Sequence, residues 1–304
     1  MRAAGWAGTS CALALLSLAA PARAGAVAER FVPVGGAKLY VKVLGTAPGT
    51  PLLVLNGGPG FPHDYILQGG AFERLAARRR VVVFDQRGTG RSSPLSAWPS
   101  CTALDNVSDV EAIRASLGVE RVDVYGHSWG GLLAMLYVEA HPEHVRKLII
   151  ADAAAPKFKD TPFRFDEFFP DGSPLPPGAE ARGDTSRHAN DIESYFALIF
   201  VSPTIRERFI ADMRHAKPAA MDVNKAVETS LDSIDAGPGL AHVACPTLVV
   251  TGRYDTNVAP VNAWKIHNAI RGARWHVFEV SSHMPLIEQP SEFVRVVEDF
   301  LGAP

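Results

Sequence analysis

The segment at residues 122–141 constrains the fold of this chain more than any other. An apolar run, VDVY at 122–125, leads directly into the motif GHSWG at 126–130, and a helical pattern follows at 131–141. A sharp turn of this kind between a strand and a helix holds its central serine in a strained backbone conformation, with small residues on either side. The segment therefore predicts a buried strand, a helix behind it, and a Ser128 hydroxyl raised above the edge of a sheet.

Short apolar runs alternate with amphipathic stretches along the rest of the chain. Continuous apolar runs are typical of strands covered on both faces, whereas the amphipathic stretches have helical spacing. The predicted strands are 39–43, in a hairpin after Gly35 and Gly36, and 51–55, 81–84, 122–125, 147–150, 247–250 and 275–280. The predicted helices are 72–79, 107–117, 131–141, 260–270 and 291–301. This order predicts an α/β fold with a mostly parallel central sheet and helices on both faces.

Residues 156–240 interrupt that order, because they contain no clear strand. The stretch at 166–187 is rich in proline, glycine and charge, and helical patterns follow at 191–201 and 202–213. Long loops inside compact domains usually carry function or are disordered. We interpret 156–240 as a helical lid inserted into a core formed by 25–155 and 241–304. It would cover the carboxyl edge of the sheet, where ligands of open α/β sheets bind; the alternative is a surface excursion without contact with the site.

Residues 1–24 are typical of a targeting segment. Arg2 precedes an apolar run at 11–20, and Ala22-Arg23-Ala24 forms a cleavage site of the small-x-small type. The pattern predicts a secretory signal peptide removed near Ala24, and hence an exported protein, periplasmic or secreted. The alternative is an N-terminal anchor, but the run has about half of the ~20 apolar residues that a spanning helix needs. We therefore expect no stable membrane insertion.

The net charge and the cysteine content limit which partners and metals this chain can be expected to bind. The formal net charge of −2 provides no electrostatic footprint for nucleic acid. Cleavage leaves two cysteines, Cys101 and Cys245; an exported chain can form a disulfide, but the sequence leaves their pairing open. Neither cysteine has the spacing of a zinc site, and His141 with His144 is not a ligand set by itself. We therefore expect no metal site.

Two further residues complete a candidate catalytic site with Ser128. A serine hydroxyl is a poor nucleophile without a base, and on this kind of sheet the order along the chain is serine, acid, histidine. Asp255 follows the predicted strand at 247–250, and His283 follows the one at 275–280. We predict that Asp255 orients the imidazole of His283, which takes the proton from Ser128. Asp152, after the strand at 147–150, is the alternative acid.

The other histidines fit the role of base less well than His283. His127 is next to the serine, and we expect its side chain to point elsewhere because adjacent residues do not share a direction. His276 lies within a predicted strand, and His242 precedes a strand rather than ending one. Order and position therefore favour His283.

The negative oxygen of an acyl-transfer transition state needs preorganised hydrogen-bond donors. The residue after the nucleophile supplies one of them, which here is the backbone N–H of Trp129. The glycine-rich loop at 56–60, NGGPG, follows the strand at 51–55 and lets a backbone N–H approach a substrate. We predict Gly58 as the second donor, with Gly57 as the alternative.

These motifs together resemble the α/β-hydrolase superfamily and, within it, the proline iminopeptidase family. The resemblance is carried by NGGPGFPHDY at 56–65, DQRGTGRS at 85–92, GHSWGG at 126–131 and SHMP at 282–285, with Glu288 and Pro290 after it. It implies an α/β-hydrolase fold and cofactor-free hydrolysis that releases the amino-terminal residue of a peptide, often proline. It also implies that the matching residues Ser128, Asp255 and His283 form the triad. We interpret Asp85 and Arg87 as structural residues that tie neighbouring loops together.

The sequence departs from the family pattern at two places. Asn56 stands where the family usually has histidine, although an asparagine can still hydrogen-bond the loop. The insertion is short and lacks tryptophan, so the residues that would bind a substrate's free amine are less defined. Asp191 and Glu193 are the candidates for that role, and a solvated helix face is the alternative reading of both. An ester or lactone hydrolase with the same triad is therefore the alternative function, and a non-catalytic ligand-binding module is a remote one.

Overall fold

The computed structural model describes residues 27–161 and 199–303. The predicted signal peptide at 1–24 lies outside the described residues, as do Asp191 and Glu193, so these assignments stay predictions. Within the described ranges, no helix is both long enough and apolar enough to cross a membrane.

An eight-stranded sheet forms the centre of the molecule, with the strand order β1-β2-β4-β3-β5-β6-β7-β8. The hairpin β1–β2 pairs antiparallel with β4 at one edge, and β3 to β8 run parallel. The strands are β1 (Val27–Val34), β2 (Ala37–Leu44), β3 (Leu52–Leu55), β4 (Val81–Phe84), β5 (Val122–His127), β6 (Val145–Ala151), β7 (Thr247–Gly252) and β8 (Arg274–Phe278). The predicted mostly parallel sheet is confirmed.

Helices cover both faces of this sheet. The described helices are α1 (Ala71–Leu75), α2 (Ala103–Ser116), α3 (Trp129–Ala140), α4 (Pro203–Met213), α5 (Met221–Ser230), α6 (Gly237–Leu240), α7 (Pro260–Ala269), α8 (Pro285–Glu288) and α9 (Pro290–Gly302). Buried residues of α2, α3 and α7 belong to one apolar cluster, and those of α1 and α9 belong to the other. Leu53 and Leu55 of β3 contribute to the first cluster, while Leu52 and Val54 contribute to the second. Burial on both sides explains why the strand is apolar throughout.

Local hydrogen bonds explain where helix boundaries differ from the prediction. Helix α2 begins at Ala103, four residues before the predicted start, because Thr102 forms a capping box with Asp105. The Thr102 side chain accepts from the Asp105 N–H, and the Asp105 carboxylate accepts from the Thr102 N–H. Helix α1 ends at Leu75 instead of residue 79, since tighter turns follow, in which the N–H of Arg78 bonds to the Leu75 carbonyl at 3.1 Å.

The described part of the insertion lies against the glycine-rich loop after β3. The Ala220 N–H donates to the Gly60 carbonyl at 2.8 Å, and the Asn224 amide donates to the Pro59 carbonyl at 3.2 Å. These contacts place α5 at the carboxyl edge of the sheet. Because residues 162–198 lie outside the described residues, the function of the insertion as a lid stays a prediction.

Phe293 provides a test of the packing in the second apolar cluster, which it shares with α1. Its buried ring packs edge-on against Phe72 and Tyr125 beneath the sheet. We expect Phe293→Ala to lower the free energy of unfolding by about 3–5 kcal/mol, because it removes a large buried ring and leaves a cavity. Urea unfolding measures this loss. The control Phe31→Ala, at a ring that is 53% exposed, should cost less than about 1 kcal/mol; equal losses would contradict the packing described.

Candidate active site

The turn between β5 and α3 holds Ser128 in a backbone conformation that few non-glycine residues adopt. Its φ is 57° and its ψ is −122°. The Ser128 N–H donates to the Ala151 carbonyl of β6 at 3.0 Å, which fixes the turn to the neighbouring strand. A Cβ on Gly130 would lie 2.1 Å from the Leu55 carbonyl oxygen, so α3 can approach β3 this closely only with glycine there. The sequence prediction of a strained strand-to-helix turn is thus met by the geometry.

Ser128 and His283 line the same cleft above the carboxyl edge of the sheet. The described residues that line the cleft are Gly57, Gly58, Phe61, Tyr65, His127, Ser128, Ile199, His283 and Met284. Aromatic and aliphatic side chains dominate this lining, and none of the described lining residues carries a carboxylate.

Asp255 is the carboxylate that contacts the imidazole of His283. Its Oδ2 lies 2.8 Å from Nδ1 of His283. Its Oδ1 accepts the backbone N–H groups of Asn257 at 2.9 Å and Val258 at 2.8 Å. Both Asp255 and His283 are buried. A carboxylate that faces Nδ1 accepts a hydrogen bond there, which keeps the proton of the neutral imidazole on Nδ1.

Asp152, the alternative acid, lies close to Asp255 and His283 but has different hydrogen bonds. Its Oδ1 accepts the Gly252 N–H at 2.8 Å, and its Oδ2 has no hydrogen-bond partner among the described residues. Burial, and then the charge of Asp255, raises the pKa of Asp152 well above its usual range. The carboxylate that bonds to the His283 imidazole is therefore that of Asp255, while burial favours the protonated form of Asp152.

The second nitrogen of His283 has a partner that the sequence analysis did not consider. Nε2 lies 3.2 Å from the side-chain amide nitrogen of Asn257. Among the described residues, this amide and not the Ser128 hydroxyl is its hydrogen-bond partner. Catalytic hydrogen bonds are often long in unliganded structures and shorten when substrate binds.

His127 corrects an expectation, because its ring points into the cleft rather than away from it. The ring centroids of His127 and His283 are 4.7 Å apart. Nε2 of His127 bonds to the His283 carbonyl at 2.8 Å, and Nδ1 lies 2.9 Å from the Tyr65 hydroxyl. Burial, and then the neighbouring His283, lowers the pKa of His127 to about 3. With both nitrogens engaged, His127 supports the His283 backbone and does not act as a base.

Of the two predicted oxyanion donors, Gly58 lines the cleft and Trp129 directly follows Ser128, which also lines it, whereas the N–H of the alternative Gly57 is engaged. The Gly57 N–H donates to the Tyr65 hydroxyl, which excludes it as a donor. The N–H groups of Gly58 and Trp129 have no acceptor among the described residues. A Cβ on Gly57 would lie 2.9 Å from Cβ of Ser128, which shows how closely this loop approaches the nucleophile turn.

Gln86 connects the two donor segments to each other. Its amide nitrogen donates to the Asn56 carbonyl at 2.8 Å, and its Oε1 accepts from the Trp129 indole at 2.9 Å. Asn56 itself bonds to the Phe61 carbonyl at 2.9 Å, so asparagine does hydrogen-bond the loop as predicted. Gln86 belongs to the motif DQRGTGRS at 85–92, and no local sequence pattern indicates this role.

Asp85 and Arg87 have the structural role predicted for them. Asp85 accepts from the N–H and the ring of His63 and from the N–H of Arg91. Burial raises the pKa of Asp85, but the hydrogen bonds from His63 outweigh it, and the pKa lies below its usual value. Arg87 forms a bidentate ion pair with Asp109 at 2.8 and 2.7 Å.

Glu288 is a further residue whose role only the structure shows. One carboxylate oxygen accepts the N–H groups of Val201 and Ser202, just before α4 of the insertion. The other accepts the N–H of Ser282, next to His283, at 2.7 Å. Glu288 therefore joins the insertion to the histidine loop. Its position three residues after Pro285 was noted in the sequence, but no local pattern indicates these partners.

Metal-binding potential is limited in the part of the chain described. One group with suitable spacing, Asp152, Asp255 and His283, is the site itself. The other contains Glu111, whose carboxylate already bonds to Arg114 and Tyr137. Cys101 and Cys245 are free thiols, which answers the question that the sequence left open.

Comparison with known proteins agrees with this geometry. A model of the α/β hydrolase fold family matches residues 50–290, so the chain belongs to that family and is a hydrolase. It is 30% identical over 291 residues to the proline iminopeptidase of Heyndrickxia coagulans, covering 90% of this chain and 99% of that protein. The resemblance that the motifs indicate is confirmed.

Solved structures give the same fold. A proline iminopeptidase from Mycobacterium smegmatis aligns with a TM-score of 0.68 and 26% identity, over 90% of this chain and 98% of that one. An esterase from Exiguobacterium antarcticum aligns with a TM-score of 0.69 and 23% identity, over 92% of this chain and all of that one (100%). The esterase similarity shows the fold alone.

The lowered pKa of the buried His127 predicts how the free energy of unfolding depends on pH. Its pKa falls from 6.5 to about 3 on folding, so below pH 6.5 the unfolded chain binds a proton that the folded protein excludes. This difference costs about 1.4 kcal/mol of stability per pH unit between pH 6 and 4. We expect the free energy of unfolding of His127→Gln to fall less steeply between pH 6 and 4 than that of the native protein. The difference in slope should be about 1.4 kcal/mol per pH unit. Urea unfolding at each pH measures the slope; the exposed control His215→Gln should keep the native slope, and an unchanged slope in His127→Gln would contradict the argument.

Proposed function

We propose that this hydrolase uses Ser128 as a covalent nucleophile, with His283 as its base and Asp255 as the supporting acid. The observation that carries the proposal is the contact of Asp255 with Nδ1 of His283 in the cleft that Ser128 also lines. Ser128 also has the strained backbone that such a nucleophile requires. A non-catalytic binding module would not need this arrangement.

The steps of the proposed reaction follow from which group donates a proton and which group accepts it. Nε2 of His283 takes the Ser128 proton as Oγ forms a bond to the substrate's carbonyl carbon. The N–H groups of Gly58 and Trp129 stabilise the negative oxygen that develops. The imidazolium then gives its proton to the leaving amine or alcohol, and the acyl-enzyme forms. Water, deprotonated by His283, attacks the acyl carbon; the bond from that carbon to Oγ breaks, the imidazolium returns its proton to Oγ of Ser128, and the acid product leaves.

The substrate class that we favour is a peptide with a free amino-terminal residue, proline above all. Support comes from the proline iminopeptidases, which match this chain over nine tenths of its length. Such an enzyme needs an anionic group for the substrate's amine. Since no carboxylate lies among the described cleft residues, we propose Asp191 and Glu193 for this role.

A carboxylic ester or lactone is the second candidate substrate. The observation in its favour is the apolar and aromatic lining of the described cleft, which includes Phe61, Ile199 and Met284. Such a lining accommodates an acyl chain without any charged anchor. The two candidates share the triad and differ in the group that binds beyond the scissile carbonyl.

A substrate panel distinguishes the two candidates. We expect the protein to release chromophore from prolyl and alanyl anilides that have a free amine, and to do so less from their N-acetylated forms. Rapid hydrolysis of short-chain esters with no turnover of any anilide would reject the peptidase in favour of the esterase. Ser128→Ala should abolish turnover of both, while its urea unfolding stays close to that of the native protein; retained activity would exclude Ser128 as the nucleophile.

The two buried aspartates should respond differently to the same substitution. Asp255→Asn removes the charge that supports the imidazolium, and we expect kcat/KM to fall by about 10²–10⁴-fold. Asp152→Asn replaces a carboxyl group whose pKa is raised well above its usual range by burial, and we expect less than about a tenfold loss. Steady-state rates on the best substrate of the panel measure both. The reverse order would show that Asp152 is the catalytic acid.

A further inference from the structure

One short turn after β7 holds both nitrogens of the His283 imidazole. Asp255, its first residue, binds Nδ1 through Oδ2 at 2.8 Å. Asn257, two residues later, places its amide nitrogen 3.2 Å from Nε2. The backbone N–H of Asn257 bonds to Oδ1 of Asp255 at 2.9 Å, so the two side chains are fixed to each other. Asn257 is buried.

The proton positions follow from this arrangement. The Asp255 carboxylate can only accept, so a neutral His283 carries its proton on Nδ1 and presents a lone pair at Nε2. A group that faces this lone pair must donate, and the amide nitrogen of Asn257 does so. The same lone pair must accept the Ser128 proton for acylation to occur. Asn257 and Ser128 therefore compete for one acceptor site.

We propose that Asn257 is a positioning residue that holds the resting imidazole by Nε2 and restrains acylation until substrate enters the cleft. The inference rests on the proposed role of His283 as the base. Substrate that fills the cleft removes water and brings the Ser128 hydroxyl into contact with Nε2 of His283. The hydrogen bond from the Asn257 amide to Nε2 then breaks. The hydrogen bond from the Asn257 amide to Nε2 can form only when the imidazole is neutral. Asn257 therefore also disfavours protonation of His283.

Other titratable groups surround the imidazole and bear on its protonation. Asp255 and Asp152 approach it from the ends of β7 and β6, with ligand atoms within 4.8 Å of one another and of His283. His127 approaches from β5 and is neutral above a pKa of about 3. Glu288 on α8 bonds to the adjacent Ser282 N–H. None of these groups contacts Nε2 in the described residues, which leaves Asn257 as the group that acts there.

Removal of the amide should give two measurable changes. In Asn257→Leu, of similar volume, the midpoint of the acidic limb of reactivity should move to higher pH by about 0.5–1 unit, because a hydrogen bond to the neutral form is lost. At the plateau above that limb, acylation should be about 3–10-fold faster, because Nε2 no longer has to leave the amide. Asn257→Asp, which presents a carboxylate, should also raise the midpoint but lower the plateau rate.

The experiment measures the second-order rate of Ser128 modification by a small fluorophosphonate from pH 4.5 to 9, with the modified peptide identified by mass. This probe needs no knowledge of the natural substrate. Asn262→Leu is the matched control, since it removes another buried asparagine, which bonds to the Ala153 carbonyl, and should leave the midpoint unchanged. If native protein is modified but Asn257→Leu keeps its midpoint and rate, the inference is overturned while the proposed function stands.

Three further outcomes also decide the question. A slower Asn257→Leu with an unmoved midpoint would assign the amide a merely structural role and overturn the inference. If the leucine variant does not fold, Asn257→Ala keeps the backbone N–H and has the same expected changes; failure of both to fold would likewise overturn it. No modification of the native protein would overturn the proposed serine nucleophile and, with it, this inference.

Discussion

The left-handed backbone of Ser128 is the constraint on which the rest of the site depends. A non-glycine residue with φ of 57° is held there only if its surroundings determine it. Here β6 binds the Ser128 N–H, and α3 packs directly against the carbonyl of Leu55 through Gly130. Both contacts come from the parallel sheet, so the backbone conformation of Ser128 is a consequence of the fold rather than of a flexible loop.

The site separates two nearby carboxyl groups by their hydrogen bonds. Asp255 accepts three, from two backbone amides and His283. Asp152 accepts the Gly252 N–H, and burial, followed by the nearby Asp255, raises its pKa well above the usual range. Burial and a neighbouring carboxylate act in the same direction because each disfavours a second buried negative charge.

The cleft is also held together by groups that carry no reactive atom. Tyr65 joins Gly57 to His127, and His127 in turn binds the backbone of His283. Gln86 joins the loop of Asn56 to the Trp129 indole. Positioning through such secondary contacts matters, because small displacements of reacting groups reduce rates severely. These contacts explain why so many polar side chains are buried at this edge.

The sequence by itself determined the parallel sheet, the turn at Ser128 and the order of serine, acid and histidine along the chain. Those features are local, since apolar periodicity and a glycine-flanked serine depend on neighbouring residues. Only the tertiary structure decided that His127 points into the cleft, that Gly57 is engaged by Tyr65 and that Asn257 meets Nε2 of His283. These contacts join residues from separate loops, and the direction of a side chain in a loop depends on partners that are distant in sequence.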